Sequence, residues 1–337
     1  MQAAMFFEKI EDSHVRCLLC PHACRLGRGE TGKCRVRVNL NGSLATANYG
    51  LVTAMAMDPI EKKPLYHFFP GKEILSVGTF GCNLRCPFCQ NWSITHGDSP
   101  KKKITPDYLV SLAEAAKPDG TCVGIAYTYS EPLVWYEFVR DTAALAAARN
   151  LKNVLVTNGM VQEAPLIELL KYIDAMNIDI KGFSGRSYQK RLGGSLQTVL
   201  NTAKTASRRG CHVEITTLIV PGLNDREEEI GELTTWIADN LGADVPLHLS
   251  RYFPNYQMTA DPTPLEVMEM ARDLAREKLN YVYLGNTNLP GAADTYCPEC
   301  QAKLIERQGY RVILAGLDGR TCRRCGYKVW GHTCQKS

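Results

Sequence analysis

Three cysteines, Cys82, Cys86 and Cys89, lie in the first third of the chain with three and then two residues between them. This spacing lets three thiolates converge on one small object, which fits an iron–sulfur cluster better than a disulfide pair. Four-cysteine ligation is usual for such clusters, so three cysteines leave one iron open to an outside ligand. A zinc knuckle is the alternative, but a structural zinc takes a fourth protein ligand. The spacing therefore favours an iron–sulfur cluster that binds a further molecule.

The cysteine loop resembles the signature of the radical S-adenosylmethionine (SAM) enzymes, and it reads Gly81-Cys82-Asn83-Leu84-Arg85-Cys86-Pro87-Phe88-Cys89-Gln90-Asn91. In that family the open iron of a [4Fe-4S] cluster is chelated by SAM, and an electron from the cluster cleaves SAM to methionine and a 5′-deoxyadenosyl radical. The resemblance implies that Phe88 packs near the adenine, although a hydrophobic plug under the loop is the alternative. It also implies a reductant such as flavodoxin or ferredoxin.

The elements that must position this loop repeat a strand, loop and helix from residue 73 onward. Strands that alternate with helices predict βαβ units and a parallel sheet with right-handed crossovers. Six units predict an α/β fold, a partial (β/α)6 TIM-type barrel with its active site where the strands end. The predicted strands are 74–78, 123–127, 153–157, 175–180, 213–218 and 246–250, and the predicted helices are 108–117, 133–149, 164–172, 196–209 and 226–240.

Two segments that follow predicted strands resemble family elements that hold SAM. Thr128-Tyr129-Ser130-Glu131-Pro132 stands where the family carries a Gly-Gly-Glu element for the methionine ammonium, which implies cofactor contacts for Ser130 and Glu131. Glu131 is also suited to stabilise a helix N-terminus, and the two roles are compatible. Val156-Thr157-Asn158-Gly159 resembles the Asp-Thr-Asn-Gly of the pyruvate formate-lyase activating enzyme, which implies cofactor contacts for Thr157 and Asn158. Val156 replaces the aspartate that helps to hold a monovalent cation in that enzyme.

The later strand ends supply Asp179, Lys181 and His248. Asp179-Ile180-Lys181 matches the Asp-Leu-Lys of the same relatives, and strand alternation points Asp179 and Lys181 to one side. An ion pair at the barrel mouth suits a ligand with a carboxylate and hydroxyl groups, whereas a plain surface salt bridge is the alternative. The relatives place a histidine beside the SAM ribose, which implies that role for His248; a lone histidine is otherwise often structural. The resemblance thus implies cofactor contacts for all three and catalytic roles for Lys181 and His248. Asp225 is predicted to cap the following helix.

An N-terminal cysteine group precedes the barrel in a turn-rich segment. Four cysteines within 18 residues can close a tetrahedral zinc site, which the sequence favours over an auxiliary iron–sulfur cluster. His14 and His22 are possible substitute ligands. A β-hairpin is predicted around Asn41-Gly42. The four cysteines are Cys17, Cys20, Cys24 and Cys34.

A second cysteine group follows the barrel. Cys297 and Cys300 form one CxxC knuckle, and Cys322 and Cys325 form another, with 21 residues between the pairs. Two such knuckles predict a zinc ribbon, with a rubredoxin-like single iron as the alternative. Loss of this metal is expected to unfold the tail and leave the barrel cluster intact. Cys334 lies too far along to be required. The predicted modules are therefore 1–58, 59–290 and 291–337, and the chain is expected to bind zinc once or twice.

Composition limits the remaining functions. The chain has 337 residues, 22% of them charged, and a formal net charge of +4, which is too small for a strongly electrostatic nucleic-acid footprint. No apolar run approaches the roughly 20 residues that a membrane span needs. Clustered cysteines without a secretory signal indicate a reducing, cytoplasmic location.

The combination of both cysteine modules with the barrel motifs resembles, over nearly the full length, the radical SAM member of the AmmeMemoRadiSam system. A small anionic substrate is slightly favoured, because five basic or titratable groups are expected around one mouth. An activase that generates a radical on a partner protein is the alternative, and it would use an apolar rim formed by Tyr252, Phe253 and Tyr256. A zinc and nucleic-acid-binding protein using Arg323 and Arg324 ranks low. The five groups are Lys62, His67, Lys181, His248 and Arg251.

Overall fold

The fold is centred on one eight-stranded sheet whose strands neighbour each other in chain order. This sheet and the helices that cover it are called the barrel below. The computed structural model describes residues 1–11, 13–116 and 121–332, so Lys117 and Cys334 lie outside it. Seven strands are parallel, and the first is antiparallel to its neighbour. The strands are β1 (Ala54–Pro59), β2 (Glu73–Gly78), β3 (Cys122–Tyr127), β4 (Lys152–Thr157), β5 (Ala175–Asp179), β6 (His212–Ile219), β7 (Leu247–Arg251) and β8 (Val282–Gly285).

The prediction of a mostly parallel α/β sheet is confirmed, and the six predicted strands correspond to β2 through β7. The structure adds β1 and β8 at the two edges of the sheet. Four residues of β8 are too few for a clear sequence pattern, and the Ala, Asp and Pro residues of β1 have low β-propensity. β1 also crosses the predicted module boundary at residue 58, since it runs to Pro59 within the central sheet.

Helices cover the sheet between successive strands. Thr105 caps the first by accepting a hydrogen bond from Tyr108 N at 3.2 Å, with proline at the first helical position. The predicted cap at Asp225 is wrong, because that carboxylate accepts from Gly222 N at 3.0 Å in the preceding turn. The helices of seven or more residues in the described ranges are α1 (Pro106–Ala115), α2 (Tyr136–Ala148), α3 (Glu163–Leu169), α4 (Leu196–Arg208), α5 (Glu227–Asn240) and α6 (Leu265–Arg276).

The N-terminal region consists of two small antiparallel sheets that pack on α2. One contains the predicted hairpin, Arg37–Leu40 with Ser43–Thr46, and Asn41 and Gly42 both have positive φ, at 54° and 83°, as a type I′ turn requires. Gln2–Ala3 adds a third strand to it. The second sheet contains Phe7–Lys9, Val15–Cys17 and Arg25–Leu26.

The C-terminal region covers the amino-terminal end of the barrel strands. Its strands are Thr295–Tyr296, Lys303–Gln308 and Arg311–Ile313, followed by Leu317–Asp318 paired with Thr321–Cys322. Trp330 stacks on His212, the first residue of β6, with ring centroids 4.4 Å apart. Tyr281 and Tyr283 from the β8 region share one apolar core with Cys297 and Leu304 of the module. The module is therefore continuous with the base of the barrel.

No helix in the described ranges is long and apolar enough to cross a membrane.

A buried carboxylate, Glu214, organises this base. It accepts hydrogen bonds from Tyr66 N at 3.0 Å, His67 N at 2.8 Å, His212 Nε2 at 3.0 Å and His248 Nε2 at 2.7 Å. Burial alone would raise the pKa of Glu214, but the hydrogen bonds from the two imidazoles hold it well below its usual range. The residues collected around Glu214 thus hold a buried negative charge in place.

Low pH should destabilise this end of the barrel, because His67 is buried there as a neutral imidazole. Burial lowers the pKa of His67 from 6.5 to about 4, so as pH falls the unfolded chain takes up the proton first. We expect the free energy of unfolding to fall as the pH drops from 6.5 to about 4, by at most about 1.4 kcal/mol per pH unit for one proton. His67→Phe keeps a ring against Tyr281. In this variant the unfolding free energy, measured with urea, should depend less steeply on pH above pH 4.5. The exposed His14→Phe variant is the control, and an unchanged slope in His67→Phe would refute the assignment.

Candidate active site and metal centres

The cysteine loop follows β2 and packs against the N-terminal region. Gly81 has a φ of 97°, and a Cβ there would lie 3.0 Å from Cys34 O and 2.5 Å from Val36 Cγ1. Only glycine permits this close approach. His22 adds a hydrogen bond between the two segments, because its Nε2 lies 2.7 Å from Asn83 O. The loop is therefore held from one side by the N-terminal cysteine segment.

Asn158 connects the end of β4 to the first cluster cysteine. Its Nδ2 donates to Asn83 Oδ1 at 3.0 Å and lies 3.6 Å from Cys82 Sγ. Leu84 N lies 3.4 Å from the same sulfur. Hydrogen bonds to cysteine sulfurs are one of the means by which proteins tune iron–sulfur potentials. The predicted cofactor residue Asn158 thus lies beside the predicted cluster.

Glu131 joins the ends of β3 and β4. Its carboxylate accepts from Leu133 N at 3.0 Å, Thr157 Oγ1 at 2.6 Å and Asn158 N at 2.8 Å. The bond from Leu133 is the predicted helix N-terminal role. Burial raises the pKa of Glu131 to about 7, against the effect of these three donors. Ser130, directly before it, has a buried hydroxyl oxygen without a hydrogen-bond partner in the described structure.

Lys181 lies beside the loop cysteines. Its Nζ is 3.0 Å from Asp179 Oδ2, so the predicted ion pair is present. Burial opposes its charge, but Asp179 and Cys86 hold the pKa of Lys181 above its usual range. Burial raises the pKa of Cys86 to about 11, and the Lys181 charge opposes that rise. Thiolates of the loop cysteines would therefore be partly balanced by one half-buried cation.

Phe88 and His248 lie in buried surroundings. Phe88 is part of the main apolar core, as the hydrophobic-plug alternative describes. His248 Nε2 is hydrogen-bonded to Glu214. Thr216 pairs with Asp179 on one side and with His248 on the other, so all three side chains lie on the same face of the sheet. His248 is thus directed into the barrel and bonded toward its base.

The five basic groups are divided among separate sites. His67 and His248 belong to the Glu214 network, whereas Lys181 lies beside the cluster loop. The remaining pair have their own partners: Lys62 Nζ is 2.8 Å from Asp58 Oδ1, and Arg251 Nε donates to Thr263 O at 2.7 Å. Sequence alternation could not reveal this division, because it depends on which side of the barrel each partner occupies.

Exposed aromatic side chains lie near the cluster loop. Trp92 stacks on Tyr256 with centroids 5.4 Å apart, and both are exposed, as is Phe253. Gln257 N donates to Pro87 O at 2.9 Å, which ties this segment to the loop between Cys86 and Cys89. Tyr252, which was expected on this rim, is fully buried, and its hydroxyl donates to Met258 O. Trp92 was not predicted, and its only sequence signal is its position three residues after Cys89.

The C-terminal cysteines form a compact metal-binding group. The sulfurs of Cys297, Cys300, Cys322 and Cys325 all lie within 4.8 Å of one another. Cys297 Sγ is 3.5 Å from Cys325 Sγ, and Cys300 Sγ is 3.7 Å from Cys322 Sγ. A tetrahedral ion with bonds of about 2.3 Å sets its sulfurs about 3.8 Å apart, so this group fits one ion. The pKa of Cys322 is lowered to about 7, chiefly by a backbone hydrogen bond from Cys325, which favours the thiolate.

Comparison with known proteins assigns the chain to a family. The Radical SAM superfamily model matches residues 76–234. Uncharacterized protein MJ0808 of Methanocaldococcus jannaschii is 44% identical over 336 residues, which cover 98% of this chain and 99% of that protein. The pyruvate formate-lyase 1-activating enzyme of Escherichia coli is 29% identical over 164 residues, 46% of this chain and 65% of the enzyme.

A solved structure also matches the fold. Streptococcus suis SuiB bound to S-adenosylmethionine superposes with a TM-score of 0.52 at 14% identity, over 69% of this chain and 55% of that chain. The chain belongs to the radical SAM superfamily and is an enzyme of that superfamily. The family implies a [4Fe-4S] cluster and SAM. The donor set fits both, since the three cysteines follow β2, the unpartnered Ser130 hydroxyl follows β3, and the partly buried Lys181 follows β5 at the same edge of the sheet.

Proposed function

We propose that this chain reductively cleaves SAM with a [4Fe-4S] cluster held by Cys82, Cys86 and Cys89. When bound, the cluster supplies the electron that cleaves SAM to methionine and the 5′-deoxyadenosyl radical. The observation that carries the proposal is Asn158, whose amide contacts both Cys82 Sγ and Asn83 and whose backbone N–H is held by Glu131. A one-electron reductant such as flavodoxin or ferredoxin would supply the electron.

The same site would hold SAM through residues of this chain. The unpartnered Ser130 hydroxyl and the backbone around Glu131 would accept from the methionine ammonium. The Asp179–Lys181 pair would bind hydroxyl and carboxylate groups, with Lys181 also balancing thiolate charge. Further proposed contacts are Phe88 at the adenine, His248 at the ribose, and Thr157 and Asn158 at the strand end.

We propose that the radical acts on a polypeptide segment of a partner protein. The exposed aromatic rim of Trp92, Phe253 and Tyr256 supports this, because large exposed apolar side chains often mark protein contact sites. The rim is tied directly to the cluster loop through Gln257 N and Pro87 O. The division of the five basic groups also removes the main argument for a small anion. The activating-enzyme relative acts on pyruvate formate-lyase 1, as its name states, and this chain matches 65% of its length.

A small anionic substrate is the second candidate. A cleft of about 370 Å³ between the N-terminal region and the cluster loop is lined by Lys33, Arg85 and Ser195 among others. Two cations at its edge would attract a carboxylate or phosphate group. Binding there would place the anion next to the cluster loop and away from the aromatic rim, because Pro21 and His22 line the cleft and no rim residue does.

We also propose finer assignments for the chain as a whole. Its N-terminal, barrel and C-terminal modules, with β1 belonging to the barrel, and its motifs support membership of the AmmeMemoRadiSam system as the radical SAM component. The sulfur spacing of the C-terminal group supports zinc as its metal. All cysteines in the described part of the chain are free, which supports a reducing, cytoplasmic location.

Fractionated extract of the source organism separates the two substrate classes. We expect the protein fraction to accelerate 5′-deoxyadenosine formation above the uncoupled rate, and protease treatment to remove the acceleration. A Trp92→Ala/Tyr256→Ala variant should lose it while retaining uncoupled cleavage within about threefold, because exposed substitutions rarely disturb a fold. Tyr310→Ala, an exposed aromatic on the C-terminal module, is the matched control. Acceleration by the small-molecule fraction, lost in Lys33→Ala/Arg85→Ala, would instead select the anionic substrate.

A further inference from the structure

The four N-terminal cysteines line one pocket. Cys17, Cys20 and Cys34 are buried, Cys24 is half-buried, and all four border the same pocket together with Arg37. All four are free thiols in the structure. A pocket lined by four convergent thiols is a metal-binding arrangement rather than an apolar core.

The spacing of these sulfurs differs from that of the C-terminal group. In the described part of the chain, the C-terminal four are the cysteines whose sulfurs lie within 4.8 Å of one another, and no three of the N-terminal four meet that limit. One tetrahedral ion needs sulfurs about 3.8 Å apart. The same structure therefore contains one cysteine group sized for a single ion and another that is more open. A polynuclear iron–sulfur cluster, whose thiolates bind different irons, suits the open group.

One feature adapts the pocket to a negatively charged group. Arg37 is buried, and its Nη1 lies 3.9 Å from Cys17 Sγ while its other guanidinium nitrogen pairs with Glu137. A fixed cation beside four thiolates offsets part of their charge.

The pocket adjoins the SAM-cleaving loop. His22 lies between Cys20 and Cys24 in the sequence, and its Nε2 is 2.7 Å from Asn83 O, next to Cys82. Gly81 approaches the backbone of Cys34 closely enough to exclude a side chain. The two cysteine loops are thus in direct contact.

We infer that Cys17, Cys20, Cys24 and Cys34 bind a second iron–sulfur cluster, adjacent to the loop of Cys82, Cys86 and Cys89. It takes the auxiliary-cluster alternative rather than the zinc site that the sequence pattern favours. The inference does not depend on the substrate of the enzyme or on cleavage of SAM.

Metal and sulfide analysis of the full chain tests the inference. After anaerobic reconstitution with iron and sulfide, we expect about eight iron atoms and about eight sulfides per chain if both sites hold [4Fe-4S] clusters. A Cys82→Ala/Cys86→Ala/Cys89→Ala variant should keep about half of each, with visible absorption and, after reduction, an electron paramagnetic resonance signal. Adding Cys20→Ala and Cys24→Ala should remove the remainder. Cys122→Ala/Cys211→Ala, two buried cysteines outside the groups, should match wild type.

The outcomes separate this inference from the proposed function. A triple variant without iron or sulfide that holds two zinc ions would overturn the second cluster. Wild type and triple variant with equal iron would instead remove the SAM-binding cluster and leave the second one supported. Wild-type protein purified anaerobically tests the inference without any substitution. If it contains only about four iron atoms per chain, with one zinc ion more than the C-terminal site needs, the inference is also refuted.

Discussion

Replacing Cys86 with alanine should abolish SAM cleavage. Cys86 is one of the three cysteines that the proposal assigns to the cluster. One iron of the cluster already lacks a cysteine ligand, so the two cysteines that remain cannot hold the cluster stably. In reconstituted protein with dithionite, we expect 5′-deoxyadenosine formation to fall to less than about 1% of wild type. The product is quantified by liquid chromatography, so the result does not require a known substrate.

Cys122→Ala provides the matched control for this experiment. Cys122 is equally buried and lies at the start of β3, where its sulfur contacts Gly124 O rather than a cluster residue. It should cleave SAM at the wild-type rate. Circular dichroism of both variants checks folding, because removing one buried sulfur leaves only a small cavity. Wild-type cleavage by a folded Cys86→Ala protein would reject the proposed cluster.

The sequence predicted the repeated elements because their patterns are local. The six strands from β2 to β7 are apolar runs between turn signals, and the cysteine loop carries a fixed spacing. The ion pair of Asp179 and Lys181 was also predictable, since strand alternation alone sets both side chains on one face.

The partners of buried polar groups were not predictable in this way. Glu214 is an ordinary strand residue in the sequence, yet it gathers His212, His248 and two backbone amides from the loop after β1. Arg307 lies 93 residues further along and reaches the same loop through Tyr66 O. Such contacts depend on which modules meet at the barrel base, and no local pattern encodes that meeting.

The union of the C-terminal module with the barrel changes one sequence-based expectation. Loss of the tail's metal was expected to unfold the tail and leave the barrel cluster intact. In the structure, Arg307 Nη2 donates to Tyr66 O at 2.8 Å, its Nη1 donates to Thr295 Oγ1 at 2.9 Å, and its guanidinium lies over the Tyr66 ring at 4.2 Å. Unfolding the module would remove these partners and expose Tyr283, which is part of β8.

Loss of the C-terminal metal should therefore destabilise the barrel as well. Structural zinc sites contribute about 10–16 kcal/mol to the folding of small zinc modules, so Cys300→Ser should unfold this module. If the barrel then loses roughly 3–5 kcal/mol, its apparent melting temperature should fall by about 10 °C, since 1 kcal/mol corresponds to about 2–4 °C in a domain of this size. Tryptophan fluorescence in a Trp330→Phe background follows the barrel, because the three remaining tryptophans, Trp92, Trp135 and Trp236, all lie between β2 and β7. Trp135 is buried against Phe138 on α2.

Arg323→Ala is the control for this last experiment, because Arg323 belongs to the second knuckle of the same metal group, is exposed, and its guanidinium donates to Ala315 O at a long 3.5 Å. It should keep the metal and the wild-type melting temperature. If Cys300→Ser loses its metal but the barrel melts as in wild type, the module is an independent tail and the contacts of Arg307 contribute little. A lowered barrel melting temperature would instead mean that the cysteine knuckles help to hold Glu214 and its histidines at the base of the active-site barrel.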